Sequence, residues 1–234
     1  MQAVIIAGGK GTRMGKASKK IPKILTSINS SKTVLDYQIK ILKKNKVKKI
    51  IIIGYYLSNE IKKYILNKKY TNIKVFTEPK LLGTAGGIKL IYKSLKNNFF
   101  VIYGDLIFKT NLSKMYEFHK KNKSHATILV HKNDHNFDSD LVKINRKTNN
   151  ILSFFREPKN KLNENYVNAA IYIIKKKVIK EIDANKKSDF IKDFFPKLLR
   201  KKYLLKGFYS NSFLYDMGTI NRLKKLKNKN YDWL

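Results

Sequence analysis

Cysteine is absent from this sequence of 234 residues, and proline (4), tryptophan (1) and acidic side chains (16 Asp and Glu) are scarce. The lack of cysteine excludes disulfides and thiolate metal sites, which fits a reducing compartment. No apolar stretch reaches the roughly 18 residues that a membrane span needs, so we expect no membrane segment. The first residues enter an apolar run without the basic region or cleavage site of a signal peptide, so we expect a cytoplasmic location.

The shortage of acidic residues leaves a formal net charge of +35, which first suggests a nucleic-acid partner. However, 46 of the 51 cationic residues are lysines spread over every segment, and only five are arginines. Nucleic-acid sites usually concentrate arginine, which recognises bases and phosphates through paired hydrogen bonds. The charge therefore favours a compositional bias on solvated surfaces, with a basic nucleic-acid-binding protein as the alternative.

Apolar runs alternate with helix-spaced apolar residues in the first half of the chain. The runs predict buried strands at residues 3–6, 50–53, 73–76 and 99–103. The helical spacing predicts three helices, around residues 34–42, 57–65 and 86–95. This order predicts an α/β fold with a doubly wound, mostly parallel sheet.

The alternation ends near residue 126, where predicted strands follow one another without helices. These strands lie at 126–131, 141–144, 151–155 and 167–174, and they indicate a smaller antiparallel part. Pro196 should kink or split a helix predicted at 189–199, and a strand near 203–209 and a helix from 219 to 226 follow. We expect a single domain over residues 1–234, with one lobe at about 1–125 and a second at about 126–234.

A glycine-rich segment follows the first predicted strand and carries cations. It reads Ala7-Gly8-Gly9-Lys10-Gly11-Thr12-Arg13-Met14, and Pro22-Lys23 comes shortly after. Glycines let backbone N–H groups approach an anion, and nearby cations stabilise its charge, so the segment predicts a phosphate-binding loop. A tight turn that needs glycine only for its backbone is the alternative.

Two common phosphate loops do not fit this spacing. A Walker loop requires Gly-x-x-x-x-Gly-Lys-Ser/Thr, which the chain does not contain. The dinucleotide fingerprint Gly-x-Gly-x-x-Gly would need glycine at Met14. It would also need an acidic residue after the second strand, where the chain reads Gly54-Tyr55-Tyr56.

The segment instead resembles the signature of the sugar-1-phosphate nucleotidyltransferases. Four further segments of that family occur in the same order along the chain. They are Glu78-Pro79 with Leu82-Gly83-Thr84-Ala85-Gly86-Gly87, then Tyr103-Gly104-Asp105, Asn168-Ala169-Ala170-Ile171-Tyr172 and Asp216-Met217-Gly218-Thr219. The resemblance covers nearly the whole chain. It implies a Rossmann-like fold of the nucleotidyltransferase (GT-A) type, in which the first lobe binds the nucleotide and the smaller antiparallel lobe binds the sugar phosphate.

The resemblance also implies the chemistry, in which a sugar 1-phosphate attacks the α-phosphorus of a nucleoside triphosphate and pyrophosphate leaves. It assigns catalysis to Arg13, Lys23 and Asp105, and it assigns the cofactor Mg²⁺ to Asp105 and Asp216. Asp105 follows an apolar strand, where α/β sheets place their ligands, and carboxylates suit a hard cation. For Asp216, capping of the last helix is the alternative role.

The same resemblance assigns the substrates to further residues. Nucleotide contacts are expected at Ala7, Gly8, Gly9, Gly11, Thr12, Arg13, Lys23, Glu78, Gly83, Thr84, Ala85 and Gly104. Asn168 is expected to bind sugar hydroxyls. The family usually has a Lys-Pro pair shortly before this asparagine, whereas here Glu157 precedes Pro158. The neighbouring cations Arg156 and Lys159 are therefore the predicted ligands of the sugar phosphate.

Several segments of the second half resemble one branch, the D-glycero-D-manno-heptose 1-phosphate guanylyltransferases. These segments include Asn168-Ala169-Ala170, Ser188-Asp189-Phe190 and Phe194-Phe195-Pro196. The expected activity is transfer of GMP from GTP to a heptose 1-phosphate for glycan synthesis. The alternatives are a hexose 1-phosphate (mannose or glucose) with GTP, UTP, CTP or dTTP, and a non-catalytic nucleic-acid-binding protein on the same fold. The expected partners are a nucleoside triphosphate and a sugar 1-phosphate, with no specific nucleic acid and no membrane, and a homodimer is left open.

Overall fold

The computed structural model describes residues 1–9, 21–29, 31–132, 140–155 and 166–227. The described strands, in chain order, are β1 (Gln2–Ala7), β2 (Lys49–Gly54), β3 (Ile73–Thr77), β4 (Asn98–Tyr103), β5 (Leu106–Phe108), β6 (Ala126–Lys132), β7 (Leu141–Ile144), β8 (Ile151–Phe155), β9 (Tyr166–Lys175), β10 (Leu205–Tyr209) and β11 (Leu214–Asp216). The described α-helices are α1 (Val34–Lys44), α2 (Ser58–Asn67), α3 (Gly83–Leu90), α4 (Leu112–Lys121), α5 (Phe195–Arg200) and α6 (Ile220–Lys227). None of the described helices is long and apolar enough to cross a membrane.

The chain forms two compact units, each made of separate stretches. The first contains residues 1–81, 102–110 and 213–234, and the second contains residues 82–101 and 111–212. Each predicted lobe, at about 1–125 and 126–234, was one continuous stretch of the sequence. The units differ from them because the chain leaves the first unit after residue 81 and returns to it twice.

The first unit contains a parallel sheet of the predicted kind. Strand β2 pairs in parallel with β1 and with β3, so that Ile52 lies beside Ile5 and Val75. Ala3, Val4 and Ile5 of β1 and the four isoleucines of β2 are buried, as expected of a parallel sheet covered on both faces. Helix α1 begins at a capping box in which Thr33 and Asp36 exchange side-chain-to-backbone hydrogen bonds. The predicted α/β class and its mostly parallel sheet are confirmed.

A short antiparallel ribbon completes the first unit. Strand β11 pairs with β5, placing Tyr215 opposite Ile107 and Asp216 opposite Leu106. One face of the ribbon packs into a small apolar cluster formed by Ile28, Val34, Tyr37, Ile107, Met217 and Leu226. The ribbon matters for the site because it joins two segments that lie more than 100 residues apart in the sequence.

The second unit is built on the predicted strands of the second half. Strand β9 is antiparallel to β6 and β7, β7 is antiparallel to β8, and β10 adds to β6 in parallel. The helix predicted at 189–199 divides into a π-helical turn at Phe190–Phe194 and α5, which has Pro196 in its first turn. Proline is tolerated there because the first helical turn lacks intrahelical acceptors for its N–H groups.

A buried histidine lies in the second unit. His119 of α4 has no exposed surface; its Nδ1 lies 2.8 Å from the Thr127 hydroxyl and its Nε2 lies 3.2 Å from Asn98 Oδ1. Burial, reinforced by the charges of Lys175 and His125, lowers the pKa of His119 to about 4. The imidazole is therefore a neutral part of the core at neutral pH.

Candidate functional site

Asp105 comes shortly after the end of β4 and lies beside the end of β1. It follows Gly104, whose N–H donates to the Ile6 carbonyl of β1 at 2.9 Å. A Cβ added at Gly104 would lie 2.9 Å from that carbonyl oxygen and 3.4 Å from Ala7 Cβ, so a larger residue could not approach β1 as closely. The tight approach places Asp105 beside the carboxyl end of β1, the edge at which α/β sheets bind their ligands.

The β5–β11 ribbon brings Asp216 next to Asp105. Asp216 pairs with Leu106 at the end of the ribbon, and the N–H of Met217 donates to the Asp105 carbonyl at 2.9 Å. The two carboxylates are close enough for the charge of Asp216 to raise the pKa of Asp105. The two aspartates to which the family resemblance assigns Mg²⁺ are thus neighbours in the first unit.

Lys23 supplies a cation to this pair. Its ammonium lies 3.4 Å from Asp105 Oδ2, and the two side chains are 18% and 24% exposed. Burial and, secondarily, Asp216 raise the pKa of Asp105 above its ordinary value, while Lys23 acts in the opposite direction. The sequence predicted all three residues, and their juxtaposition concentrates one positive and two negative groups at one edge of the sheet.

Arg222 is a further member of the site that sequence reasoning did not single out. Its Nη1 donates to Asp216 Oδ2 at 2.5 Å, while the N–H of Gly218 donates to Oδ1 at 2.6 Å. The alternative role of Asp216 as the cap of the last helix is wrong. Thr219 occupies that place, because its hydroxyl accepts from the N–H of Arg222 in the first turn of α6.

The described residues offer two carboxylates to a divalent cation at this place. No group of three or more His, Asp or Glu side chains with metal-binding geometry occurs in the described ranges. Two carboxylates suit Mg²⁺, which commonly takes one or two protein carboxylates and completes its octahedral shell with water and substrate phosphates. The like-charge repulsion between Asp105 and Asp216 would be relieved by such an ion, so the donor set fits it.

The amino-terminal glycine turn approaches another acidic residue. A Cβ added at Gly8 would lie 2.7 Å from Glu78 Oε2, so glycine is needed for this approach. Glu78 is 3% exposed, and its N–H donates to the Gly54 carbonyl at 2.8 Å. Gly9 is exposed, and none of the described residues lies within 4 Å of a Cβ added there. The rest of the predicted loop, with Gly11, Thr12 and Arg13, lies outside the described residues.

The second glycine-rich turn, in the second unit, packs against its own chain. Gly83 has a φ of +81°, and a Cβ there would lie only 2.4 Å from the Ser188 carbonyl oxygen. That carbonyl accepts from the N–H of Ala85 at 2.9 Å. The Thr84 hydroxyl donates to Asp189 Oδ2 at 2.8 Å and accepts from the N–H of Phe190 at 3.0 Å. The glycine requirement at Gly83 therefore has a structural cause, and Thr84 and Ala85 are held by residues 188–190.

Asn168 holds a bulge of β9 in the second unit. Its Oδ1 accepts from the N–H of Ala170 at 3.1 Å, and its Nδ2 donates to the Tyr172 hydroxyl at 3.0 Å. Ala170 has a left-handed φ of +52°, and the register between β6 and β9 shifts at this point. Both ends of the amide thus have local partners. The predicted phosphate ligands Arg156 and Lys159, and Glu157 between them, lie outside the described residues.

Comparisons with known proteins find similarity along nearly the whole chain. A model of the nucleotidyl transferase family matches residues 2–232. Mannose-1-phosphate guanyltransferase 2 of Candida glabrata is 32% identical over 221 residues, which cover 89% of this chain and 60% of that protein. The D-glycero-alpha-D-manno-heptose 1-phosphate guanylyltransferase of Campylobacter jejuni is 30% identical over 213 residues, which cover 89% of this chain and 93% of that protein.

A solved structure extends the similarity to the fold. The crystal structure of HddC from Yersinia pseudotuberculosis has a TM-score of 0.83 and 26% sequence identity, and the match covers 97% of each chain. HddC has also been solved in a complex with GMP-PN, and that structure has a TM-score of 0.81. The chain therefore spans 60% of the fungal relative and nearly the full length of the bacterial proteins.

Proposed function

Because this chain belongs to the nucleotidyl transferase family, we propose that it transfers a nucleotidyl group, GMP from GTP, to a sugar 1-phosphate and releases pyrophosphate. The product is a nucleotide sugar for glycan synthesis. The observation that carries this proposal is the first unit's cluster of Lys23, Asp105 and Asp216 beside the ends of β1 and β4. Such a cluster suits a reaction whose reactants are both anions.

The reaction needs charge neutralisation more than it needs a nucleophilic side chain. An oxygen of the sugar phosphate forms a bond to the α-phosphorus of GTP, and the bond from that phosphorus to the oxygen bridging the α- and β-phosphates breaks. The attacking phosphate oxygen is already ionised at neutral pH, so no general base is required. Catalysis then consists of holding two anions together and stabilising the charge that shifts onto pyrophosphate.

The side chains of the first unit have distinct roles in this proposal. Asp105 and Asp216 hold Mg²⁺, which when bound neutralises phosphate oxygens. Lys23 adds a positive charge next to Asp105 and orients that carboxylate. The predicted contributions of Arg13 and of the remaining loop, and the base and sugar contacts predicted for Glu78, Gly83 and Asn168, continue to rest on the family resemblance.

The sugar is proposed to be a heptose 1-phosphate. The support is the match in length, because the chain spans 93% of the heptose 1-phosphate guanylyltransferase of Campylobacter jejuni and 60% of the fungal mannose 1-phosphate enzyme. Mannose 1-phosphate is the second candidate, since the fungal relative is 32% identical. Both relatives are named as guanyl-transferring enzymes, which favours GTP over UTP, CTP and dTTP.

The test is a matrix of substrates with two readouts. The protein is incubated in Mg²⁺ with each of GTP, ATP, UTP, CTP and dTTP, in combination with heptose, mannose and glucose 1-phosphates. Pyrophosphate release is measured, and products are identified by mass. We expect the largest kcat/KM for GTP with heptose 1-phosphate. No release with any pair would refute the enzymatic proposal, whereas a preference for mannose 1-phosphate would refute only the sugar assignment.

A further inference from the structure

Both oxygens of the second carboxylate of the site already accept hydrogen bonds from groups of their own segment. Asp216 Oδ1 accepts from the N–H of Gly218, and Oδ2 accepts from the guanidinium of Arg222. A divalent cation that binds Oδ2 would share that oxygen with the positive guanidinium of Arg222, and the like charges of the two groups make them compete for it.

Arg222 has a fixed backbone and a partly free side chain. Its N–H donates to the Thr219 hydroxyl, and its carbonyl accepts from the Tyr215 hydroxyl at 2.8 Å. The side chains of Arg222 and Asp216 are 42% and 39% exposed. The guanidinium can thus leave Asp216 without disturbing buried packing. An ion pair with this exposure is also weak enough to exchange, because water screens its charges and holding two long side chains together costs entropy.

The cations of the site and the chemistry of arginine indicate that a guanidinium released from Asp216 would bind a phosphate. Asp105 has Lys23 as its counter-ion and Asp216 has Arg222, so each carboxylate is balanced by one cation. Arginine donates paired hydrogen bonds to carboxylates and to phosphates with the same planar fork. Arg222 is also the only arginine in the described part of the first unit.

We propose that Arg222 is a resident counter-ion that exchanges partners, leaving Asp216 when a divalent cation binds and then donating to a phosphate oxygen of the bound nucleoside triphosphate or sugar 1-phosphate. This inference rests on the proposed function. It assigns Arg222 two effects of opposite sign. The guanidinium weakens binding of the cation taken alone, and it accelerates phosphoryl chemistry once the substrates are present.

The experiment separates these effects with Mn²⁺ as the probe. Binding of Mn²⁺ without nucleotide is measured by calorimetry for the wild type and for Arg222→Gln, Arg222→Lys and Arg200→Gln. Arg222→Gln should bind Mn²⁺ about two- to fivefold more tightly, because the competing ion pair is gone. Its kcat at saturating Mg²⁺ should fall at least about tenfold, because a cation near the phosphates is lost.

The two other variants control for charge and for the substitution itself. Arg222→Lys keeps the charge, so its Mn²⁺ affinity should stay within about twofold of the wild type, with part of the activity restored. Arg200→Gln changes an exposed arginine of α5 and should alter neither affinity nor kcat. Thermal unfolding of each variant verifies that the chain is folded.

Each unfavourable outcome has a defined meaning. Equal or weaker Mn²⁺ binding by Arg222→Gln would overturn the competition at Asp216, and so would a wild type that binds no Mn²⁺. Tighter binding with unchanged kcat would overturn the transfer of Arg222 to a phosphate. In all of these cases pyrophosphate release by the wild type reports separately on the proposed function.

Discussion

The two units hold their candidate residues in different ways. In the first unit, Asp105 and Asp216 are paired with the side chains Lys23 and Arg222, and all four groups remain partly exposed. In the second unit, the neutral side chains of Thr84 and Asn168 are bonded to neighbouring groups of their own unit, beside residues with left-handed backbone. Charged, exposed pairs can exchange with a ligand, whereas locally satisfied amides and hydroxyls shape the backbone. We therefore expect substitutions to change activity in the first unit and stability in the second.

The largest effect is expected for Asp105→Asn. Loss of this carboxylate should lower kcat by at least about a thousandfold, because the proposed metal ligand and the partner of Lys23 are lost together. The midpoint of thermal unfolding should not fall, since the substitution removes a charge that burial and, secondarily, the charge of Asp216 disfavour. Pyrophosphate release and calorimetry measure the two quantities. Near-normal activity would refute the metal role, and unfolding at a much lower temperature would show that the site residue also supports the fold.

The second effect concerns acid stability and His119. The folded pKa of about 4 lies below the ordinary 6.5, so the folded protein binds fewer protons than the unfolded chain between these values. The stabilisation is complete above pH 6.5 and is lost as the pH falls towards 4. The total contribution of His119 to the free energy of unfolding is about 3 kcal/mol, because each unit of pKa difference corresponds to about 1.36 kcal/mol.

Urea unfolding at several pH values checks this expectation. A His119→Gln variant keeps polar atoms but lacks the titrating ring, so its stability should depend less steeply on pH than that of the wild type. Equal slopes in the two proteins would show that His119 does not cause the acid sensitivity of the second unit.

The third effect compares the two glycine-rich turns. Gly83→Ala should destabilise the protein by about 2 kcal/mol or more, because φ is positive and the new Cβ would meet the Ser188 carbonyl. Gly9→Ala is the matched change in the amino-terminal turn and should alter stability by less than about 0.5 kcal/mol, since its Cβ would meet none of the residues that the structure describes. Denaturant midpoints of the two variants provide the measurement. Equal losses would remove the distinction between the turns.

The smallest effect is expected at the bulge of β9. Ala170→Gly should stabilise the protein by about 0.5 to 1 kcal/mol, because glycine adopts the left-handed backbone without cost. The neighbouring change Ala169→Gly should destabilise it, since Ala169 is buried and no positive φ is found there. Urea unfolding compares the two variants. Destabilisation by Ala170→Gly would mean that the contacts of the Ala170 methyl group stabilise the fold by more than the strain of its left-handed backbone destabilises it.

Most strands were predictable because their apolar runs are long and rich in β-branched residues. The strands predicted at 50–53, 73–76, 141–144 and 151–155 agree with β2, β3, β7 and β8 to within one residue at each end. Strands β5 and β11 were not predicted, since three residues are too few to show a period. Helix α4 was also missed, although Leu112, Met115 and His119 have helical spacing and are buried.

The site residues divide in the same way. Lys23, Asp105 and Asp216 were identified from motifs in which residue type and local order carry the signal. Arg222 was missed because its contact with Asp216 depends on the direction in which α6 follows β11. No sequence motif includes Arg222. The engagement of Thr84 by Asp189 joins residues 105 positions apart, which no local pattern reveals.

The sequence by itself determined most of the longer elements and the residues that carry charge, because propensity, periodicity and side-chain chemistry are local properties. Only the tertiary structure decided which of these residues are neighbours. Pairing of β5 with β11 places Asp216 beside Asp105. The chain also returns twice to the first unit, so the boundaries between the units fall at positions where the sequence shows no linker. Contacts between distant segments depend on burial and strand pairing across the whole chain, and these are settled only when the chain has folded.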